Sequence, residues 1–291
     1  ELKPRDGYLL VRLSWLTLTA SAAAPFGLVL HMSVTDAYFE AMSGLSTTGS
    51  SVITGLDALP WSMNLWRHAL HWLGGMGIIV LAVAILPLLG VGGMQMYRAE
   101  TPGPIKDAKL APRITETAKS LWLVYAGLTA VCFVLLWAAG MSGFDALCHA
   151  FSLLSLGGFS THDLSVGYFQ SPLIEVLFIF FMVVAAVNFA THFIALRRRD
   201  LSAYRRDPEA RWVLVGLGAS VLAATVLVFS EGLYPDLLTS LRHAAFSVVS
   251  LATTAGFVTE DYTLWPMFVP MWMLFLSCLV PSTGSTGGGI K

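Results

Sequence analysis

The chain has 291 residues, of which 56% are hydrophobic and only 12% charged, about half the roughly 25% charged of a soluble domain. That balance excludes a water-facing globular domain; lipid has to replace water over most of the surface. A formal net charge of −1 argues against a nucleic-acid partner, which calls for a basic surface. Cys132, Cys148 and Cys278 all lie in apolar runs without paired spacing, so they read as small buried hydrophobes, not as a disulfide framework or a metal site.

A spanning helix needs about 20 mostly apolar residues. The first candidate is Leu13–Leu30, interrupted by Pro25, with Arg12 at its entry. Thr35–Leu45 is too short to span, and Ser33 with Asp36 resembles a capping box with Asp in place of Glu. The loop Ser46-Thr47-Thr48-Gly49-Ser50 follows, then a polar turn near Asp57 and Pro60. Leu65–Leu89 is the next span, with Gly74, Gly75 and Gly77 where helices can approach closely. A polar connection, Gly90–Lys119, carries Arg98, Lys106, Lys109 and Arg113. The same plan then returns. Leu121–Met141 spans, Ser142 and Asp145 cap a short helix over Phe144–Leu154, and a Leu156-Gly157-Gly158 loop leads to a span over Leu173–Leu196. Arg197, Arg198, Arg199, Arg205, Arg206 and Arg211 make the next connection basic. Trp212–Phe229, a short helix over Pro235–Leu251, the loop Thr254-Ala255-Gly256 and the span Trp265–Val280 form a third set. It breaks at Pro281-Ser282-Thr283-Gly284-Ser285-Thr286-Gly287-Gly288-Gly289.

Aligned on Gly49, Gly158 and Gly256, the sets match upstream as well. Thirteen residues earlier stand Asp36, Asp145 and His243, each followed by alanine; six earlier stand Ser43, Ser152 and Ser250. This is an internal repeat, with units at 1–92, 119–199 and 212–291 and linkers at 93–118 and 200–211. Of the 17 Lys and Arg, all but Arg12, Arg67, Arg242 and Lys291 lie in the N-terminal segment and the two basic connections between spans, Gly90–Lys119 and Arg197–Arg211. The turns after the glycine loops carry Asp57, Asp163, Glu260 and Asp261 and no basic residue. By the positive-inside rule the linkers are cytoplasmic and the loops face outside. The expected fold is therefore an all-α integral membrane protein of parallel repeats: crossing helix, short helix with a re-entrant loop, crossing helix. Glu1 is not a methionine and Lys291 closes a glycine run, so the expectation is a piece of a longer protein.

Irregular backbone at membrane depth is tolerated only where it is buried or lines a cavity. Glycine frees the chain to turn carbonyls inward, and a ring of carbonyls replaces the hydration shell of a bare cation, as in a potassium filter. The negative ends of the short helices favour a cation there. The candidate lining is Thr47, Thr48 and Gly49, Leu156, Gly157 and Gly158, and Thr254, Ala255 and Gly256; Leu156 indicates that a hydroxyl is not needed in every unit.

Other polar residues allow more than one use. Gly284–Gly289 is glycine-rich, but Ile290 stands where a phosphate-binding loop needs lysine, which favours a helix break at a gate. His68 and His71 have the spacing of a metal or haem pair without a second pair to complete it. Asn188 and His192, four apart in a span, suit cavity lining or interhelical hydrogen bonding. Asp36 and Asp145 suit cation attraction and helix-dipole pairing equally, whereas Asp163, Glu260 and Asp261 suit concentration of cations at the mouth. Arg242 pairs with a pore-helix carboxylate such as Glu40 or reaches a subunit interface. The arginines of the second linker suit lipid headgroups or a cytosolic partner.

The strings Trp72-Leu73-Gly74-Gly75-Met76-Gly77-Ile78-Ile79-Val80, Tyr97-Arg98-Ala99-Glu100, Gly157-Gly158-Phe159-Ser160-Thr161-His162-Asp163, Ala252-Thr253-Thr254-Ala255-Gly256-Phe257 and Gly284-Ser285-Thr286-Gly287-Gly288-Gly289 resemble the Trk/Ktr/HKT superfamily of cation transporters over essentially the whole chain. The resemblance implies potassium uptake across the bacterial inner membrane, not enzymatic activity, with K+ as cargo and no organic cofactor. It implies four units round a pseudo-fourfold pore, of which the fourth is absent here. It also implies an intramembrane gate at Gly284, Ser285, Thr286, Gly287, Gly288 and Gly289, a homodimer, and a TrkA-like cytosolic nucleotide-binding ring. In that superfamily serine for the first filter glycine goes with sodium passage, so three glycines lean toward potassium. Leu279-Val280-Pro281-Ser282 departs from the small residues expected before the gate. An ion-coupled symport, driven by Na+ or H+, is the competing reading.

Overall fold

The computed structural model describes residues 4–80 and 110–289. The C-terminal part of the expected Leu65–Leu89 span, Arg98, Lys106, Lys109, the Tyr97–Glu100 string, Ile290 and Lys291 lie outside them. Every regular element among the described residues is helical. The order is α1 (Pro4–Leu30), α2 (Val34–Leu45), α3 (Trp61–Val80), α4 (Leu110–Ala138), α5 (Gly143–Leu154), α6 (Pro172–Ala186), α7 (Phe189–Arg198), α8 (Ser202–Arg206), α9 (Pro208–Ser230), α10 (Leu237–Ala252) and α11 (Phe268–Leu279), with short 3-10 turns outside the glycine loops. By length and apolarity α1, α4 and α9 can each cross a membrane alone.

The short helices are held between long ones. The α2 helix packs on α1 and α3, α5 on α4 and α3, and α10 on α9, α11 and α6. Two apolar clusters result. A small one joins Phe26 of α1, Ala41 of α2 and Leu70 of α3; a larger one runs continuously from α4 to α11 through Phe178, Phe181, Phe246 and Met273. Outward faces stay apolar: Leu123, Trp212, Leu222, Phe268 and Leu274 are all exposed, as expected where lipid is the solvent.

Close approach needs the glycines of α3. A Cβ at Gly74 would lie 1.8 Å from the carbonyl oxygen of Leu45, and one at Gly75 would lie 2.8 Å from Ser155 Cβ. The C-terminal ends of α2 and α5 thus share a notch in α3.

One expected span is broken. Leu173–Leu196 bends by 95° between α6 and α7, so Asn188 and His192 do not share one face of a continuous helix. Asn188 caps α7 through Oδ1, which accepts from the Ala190 amide at 2.8 Å. His192 bridges Tyr204 Oη and the Val184 carbonyl, each at 2.9 Å. A break frees backbone groups that something has to satisfy, and here the 281–289 segment does so. Ser282 N donates to Ala186 O, Phe189 N donates to Gly284 O (both 3.1 Å), and Thr286 Oγ1 reaches Ala185 O at 3.4 Å.

Candidate functional site

Each short helix starts on a side-chain cap and ends in a glycine loop. Ser33 Oγ and Ser142 Oγ accept from the amides of Asp36 and Asp145, at 3.1 and 3.0 Å. The third helix begins a turn earlier on Asp236, whose Oδ1 accepts from Thr239 N at 2.8 Å, so His243 is not a first-turn residue. At the other end the three loops share one hydrogen-bond pattern. The amides of Thr47, Leu156 and Thr254 donate to Gly44, Leu153 and Leu251 at 3.0 to 3.1 Å. Those of Thr48, Gly157 and Ala255 donate to Ser43, Ser152 and Ser250, at 3.0, 2.9 and 2.8 Å.

A trans peptide sets its carbonyl opposite its amide. With the amides turned back onto their own helices, the carbonyls of Thr47, Leu156 and Thr254 point away from them. Among the described residues these three carbonyls accept no hydrogen bond. Their backbones are left-handed, at φ 55°, 53° and 62°, and two residues on Gly49, Gly158 and Gly256 are left-handed too, at 78°, 84° and 76°. A bulky residue such as Leu156 rarely adopts that conformation. Strain repeated at one position of three loops, beside unsatisfied carbonyls, makes these loops the candidate functional site.

The loops lie side by side in chain order. A Cβ at Gly49 would meet Gly157 O at 2.0 Å, and one at Gly158 would meet Ala255 O at 2.3 Å; at Gly256 nothing lies within 4 Å. Below them the 281–289 segment closes in. Gly288 N donates to Thr254 Oγ1 at 2.8 Å, and buried Thr286 donates to Leu154 O at 3.0 Å. A cavity of about 420 Å³ remains between them, lined by Ser46, Thr47, Thr48, Thr254, Thr286 and Gly287–Gly289. A Cβ at Gly284 would lie 2.9 Å from Asn188 Oδ1, and the Thr283 amide donates to Glu209 Oε2 at 2.8 Å.

The acidic residues of the outer turns serve as caps and clasps. Asp163 Oδ1 accepts from the amides of Gly55 and Leu56, at 3.1 and 3.0 Å, tying the second unit's turn to the first. Asp57 Oδ1 lies 2.5 Å from His162 Nδ1, and that hydrogen bond holds its carboxyl below the usual aspartate range. Asp145 Oδ1 accepts from Thr161 Oγ1 at 2.7 Å. Asp261 caps a turn through Thr263 N at 3.0 Å. Asp163, Glu260 and Asp261 also line a shallow outer cavity of about 490 Å³.

Several expectations change. Arg242 pairs with Glu175 of α6, at 3.3 Å and without hydrogen-bond alignment, and not with Glu40. Glu40 is instead bonded to Arg67, both fully buried. That pair was not foreseen, although a cation inside an apolar span is itself a signal. His68 bonds its own helix at Asn64 O (2.6 Å), whereas His71 bonds Ser152 Oγ (2.9 Å) and stacks on Phe159. Cys132 and Cys148 are buried, but Cys278 is exposed.

The TrkH family of cation transport proteins matches residues 1–291. The Trk system potassium uptake protein TrkH of Salmonella typhimurium is 50% identical over all of this chain and 61% of its own length. TrkG of Escherichia coli K12 is 40% identical, with 60% of its length covered. The crystal structure of the potassium transporter TrkH from Vibrio parahaemolyticus superposes with a TM-score of 0.89 at 44% identity, over 99% of this chain and 59% of that one. The chain thus spans about 61% of the length of the curated relatives it matches. It is an all-α, multi-pass membrane chain of a transport family, not an enzyme, and it belongs to the TrkH family of cation transport proteins.

Proposed function

We propose that this chain supplies three quarters of a potassium-uptake pore in a bacterial inner membrane. Thr47–Gly49, Leu156–Gly158 and Thr254–Gly256 are three of four filter strands in this reading, and Gly284–Gly289 is the gate beneath them. The observation that carries it is the set of three unpaired carbonyls, held in a strained, repeated conformation by amides spent on their own helices. Backbone carbonyls without partners are costly, and a dehydrated cation is the partner that such a ring suits. The open flank at Gly256 is where a fourth strand fits. Contact of Gly288 with Thr254, and of Thr286 with Leu154, ties the gate to the third filter strand and to the end of the helix behind the second. The family resemblance extends the proposal to a homodimer regulated by a TrkA-like nucleotide-binding ring.

The test is Gly49→Ser in the complete protein, with K+ and Na+ uptake measured in transport-deficient cells. A fall in K+-over-Na+ discrimination is expected. Unchanged discrimination at normal membrane abundance refutes the filter assignment.

A further inference from the structure

We propose that the buried Arg67–Glu40 pair determines ion specificity by position: it fixes the spacing of the first two filter strands without touching the ion path. The inference rests on the filter reading above and goes beyond it.

The geometry is a bracket. Arg67 Nε donates to Glu40 Oε1 at 2.8 Å, Nη2 to Ser51 Oγ at 3.1 Å, and Nη1 reaches the Ser160 carbonyl at 3.5 Å. Glu40 in turn accepts from Ser51 Oγ and, at 3.2 Å, from the Val52 amide. Ser51 and Ser160 each stand two residues beyond their filter glycine. The guanidinium also lies 4.2 Å from the ring centroid of Phe159, the residue between Gly158 and Ser160. A single side chain on α3 therefore holds the outer ends of both strands. Arginine suits this because its rigid, planar fork spreads its donors over fixed directions.

Packing alone does not require a charge here. Replacing a buried ion pair by well-packed apolar groups is often neutral or stabilising, and this fold uses that solution one interface along. Between the second and third strands α6 presents Phe178, edge-on to Phe257 with centroids 5.0 Å apart. Phe257 follows Gly256 as Phe159 follows Gly158. Pore-helix chemistry differs in the same way. Nine residues before the glycines stand Glu40, His149 and Ser247; His149 Nε2 bonds Ser160 Oγ at 2.9 Å, repeating the Glu40–Ser51 contact without a charge. The ion pair is thus an extra constraint at one side of the ring, on the two strands whose spacing Gly49 already makes tight.

Two substitutions in the complete protein separate this role from a structural one. Arg67→Lys keeps the charge and loses the fork. Ser51→Ala keeps the ion pair and removes the hydroxyl that both partners share. The measurement is the ratio of K+ to Na+ uptake in proteoliposomes, normalised to protein reconstituted, with Gly49→Ser run alongside. Both variants are expected to reconstitute and to lower the ratio by about three- to tenfold, a fraction of one charge-assisted hydrogen bond. A wild-type ratio in either variant, with or without a loss of protein abundance, overturns the inference. If Arg67→Lys fails to fold, the ratio in Ser51→Ala decides alone. If Gly49→Ser shifts the ratio while these do not, only this inference falls; an unchanged ratio in Gly49→Ser removes the filter reading beneath it.

Discussion

Gly49→Ala and Gly55→Ala make a matched pair because they share one strain and differ in one contact. Both glycines are left-handed, at φ 78° and 73°, so an added Cβ costs each about 1–2 kcal/mol of backbone strain. At Gly55 nothing lies within 4 Å of that Cβ, whereas at Gly49 it falls 2.0 Å from the Gly157 carbonyl oxygen. Ordinary contact begins at 3.4 Å, so that carbonyl or its strand has to retreat by about 1.4 Å, the difference between the two distances. Overpacking of this kind costs about 1–3 kcal/mol. Placed on the transport barrier, that is about a five- to 160-fold loss of rate. Rubidium or potassium uptake, normalised to protein in the membrane, should therefore collapse in Gly49→Ala. In Gly55→Ala it should stay within about twofold, the outer-turn amide bond to Asp163 being retained. Equal uptake in the two variants refutes the placement of Gly49 against the second strand.

Two further outcomes follow from the gate and the outer turns. Thr286→Val preserves shape but removes the hydroxyl that holds Leu154 O and Ala185 O; losing those buried bonds costs about 1–3 kcal/mol. Basal K+ leak from loaded proteoliposomes should rise, and an unchanged leak counts against the gate. The carboxyl of Asp57 is lowered by its bond from His162, so its contribution is present above the ordinary aspartate value of about 3.9 and is lost as pH falls through the lowered one. Wild type should therefore melt above Asp57→Asn at pH 6, with the gap narrowing as pH falls below about 3.9; a gap independent of pH defeats this account.

Much of the three glycine loops' geometry was legible because it is local. The glycine spacing, the serine caps and the break at Pro281 each depend on residues within a turn or two of one another, and the structure places them where those patterns put them. What escaped is long-range. Nothing near Arg67 says that its partner is Glu40, 27 residues earlier, and the count of basic residues by loop set Arg67 aside. The acid beside Arg242 is illegible for the same reason: Glu175 comes from another unit, across the α6–α10 contact. The bend after Ala186 was hidden because Asn188 stands out in an apolar run as a lining or bonding group, whereas its use here is to cap a new helix. It is held open by Ser282 and Gly284, about a hundred residues away. Helix periodicity records what a segment buries, not which distant amide takes over a freed carbonyl.

The three loop glycines show what shapes a strand and what spaces it. Gly49 and Gly158 are crowded by the next strand, while Gly256 is exposed with nothing within 4 Å. Yet all three have nearly the same φ, and so do Thr47, Leu156 and Thr254. A lateral neighbour therefore cannot be the cause of the strained conformation. The common factor is the helix behind: Ser43, Ser152 and Ser250 each accept from the middle amide, and Ser250 also takes the Gly256 amide at 3.3 Å. Each unit bends its own strand and aims its own carbonyls; neighbours set only how far apart the strands stand. Carbonyl field and ring width are then separate variables. A change confined to the space between strands, such as a shorter cation at Arg67, should alter which ion passes while leaving every strand folded.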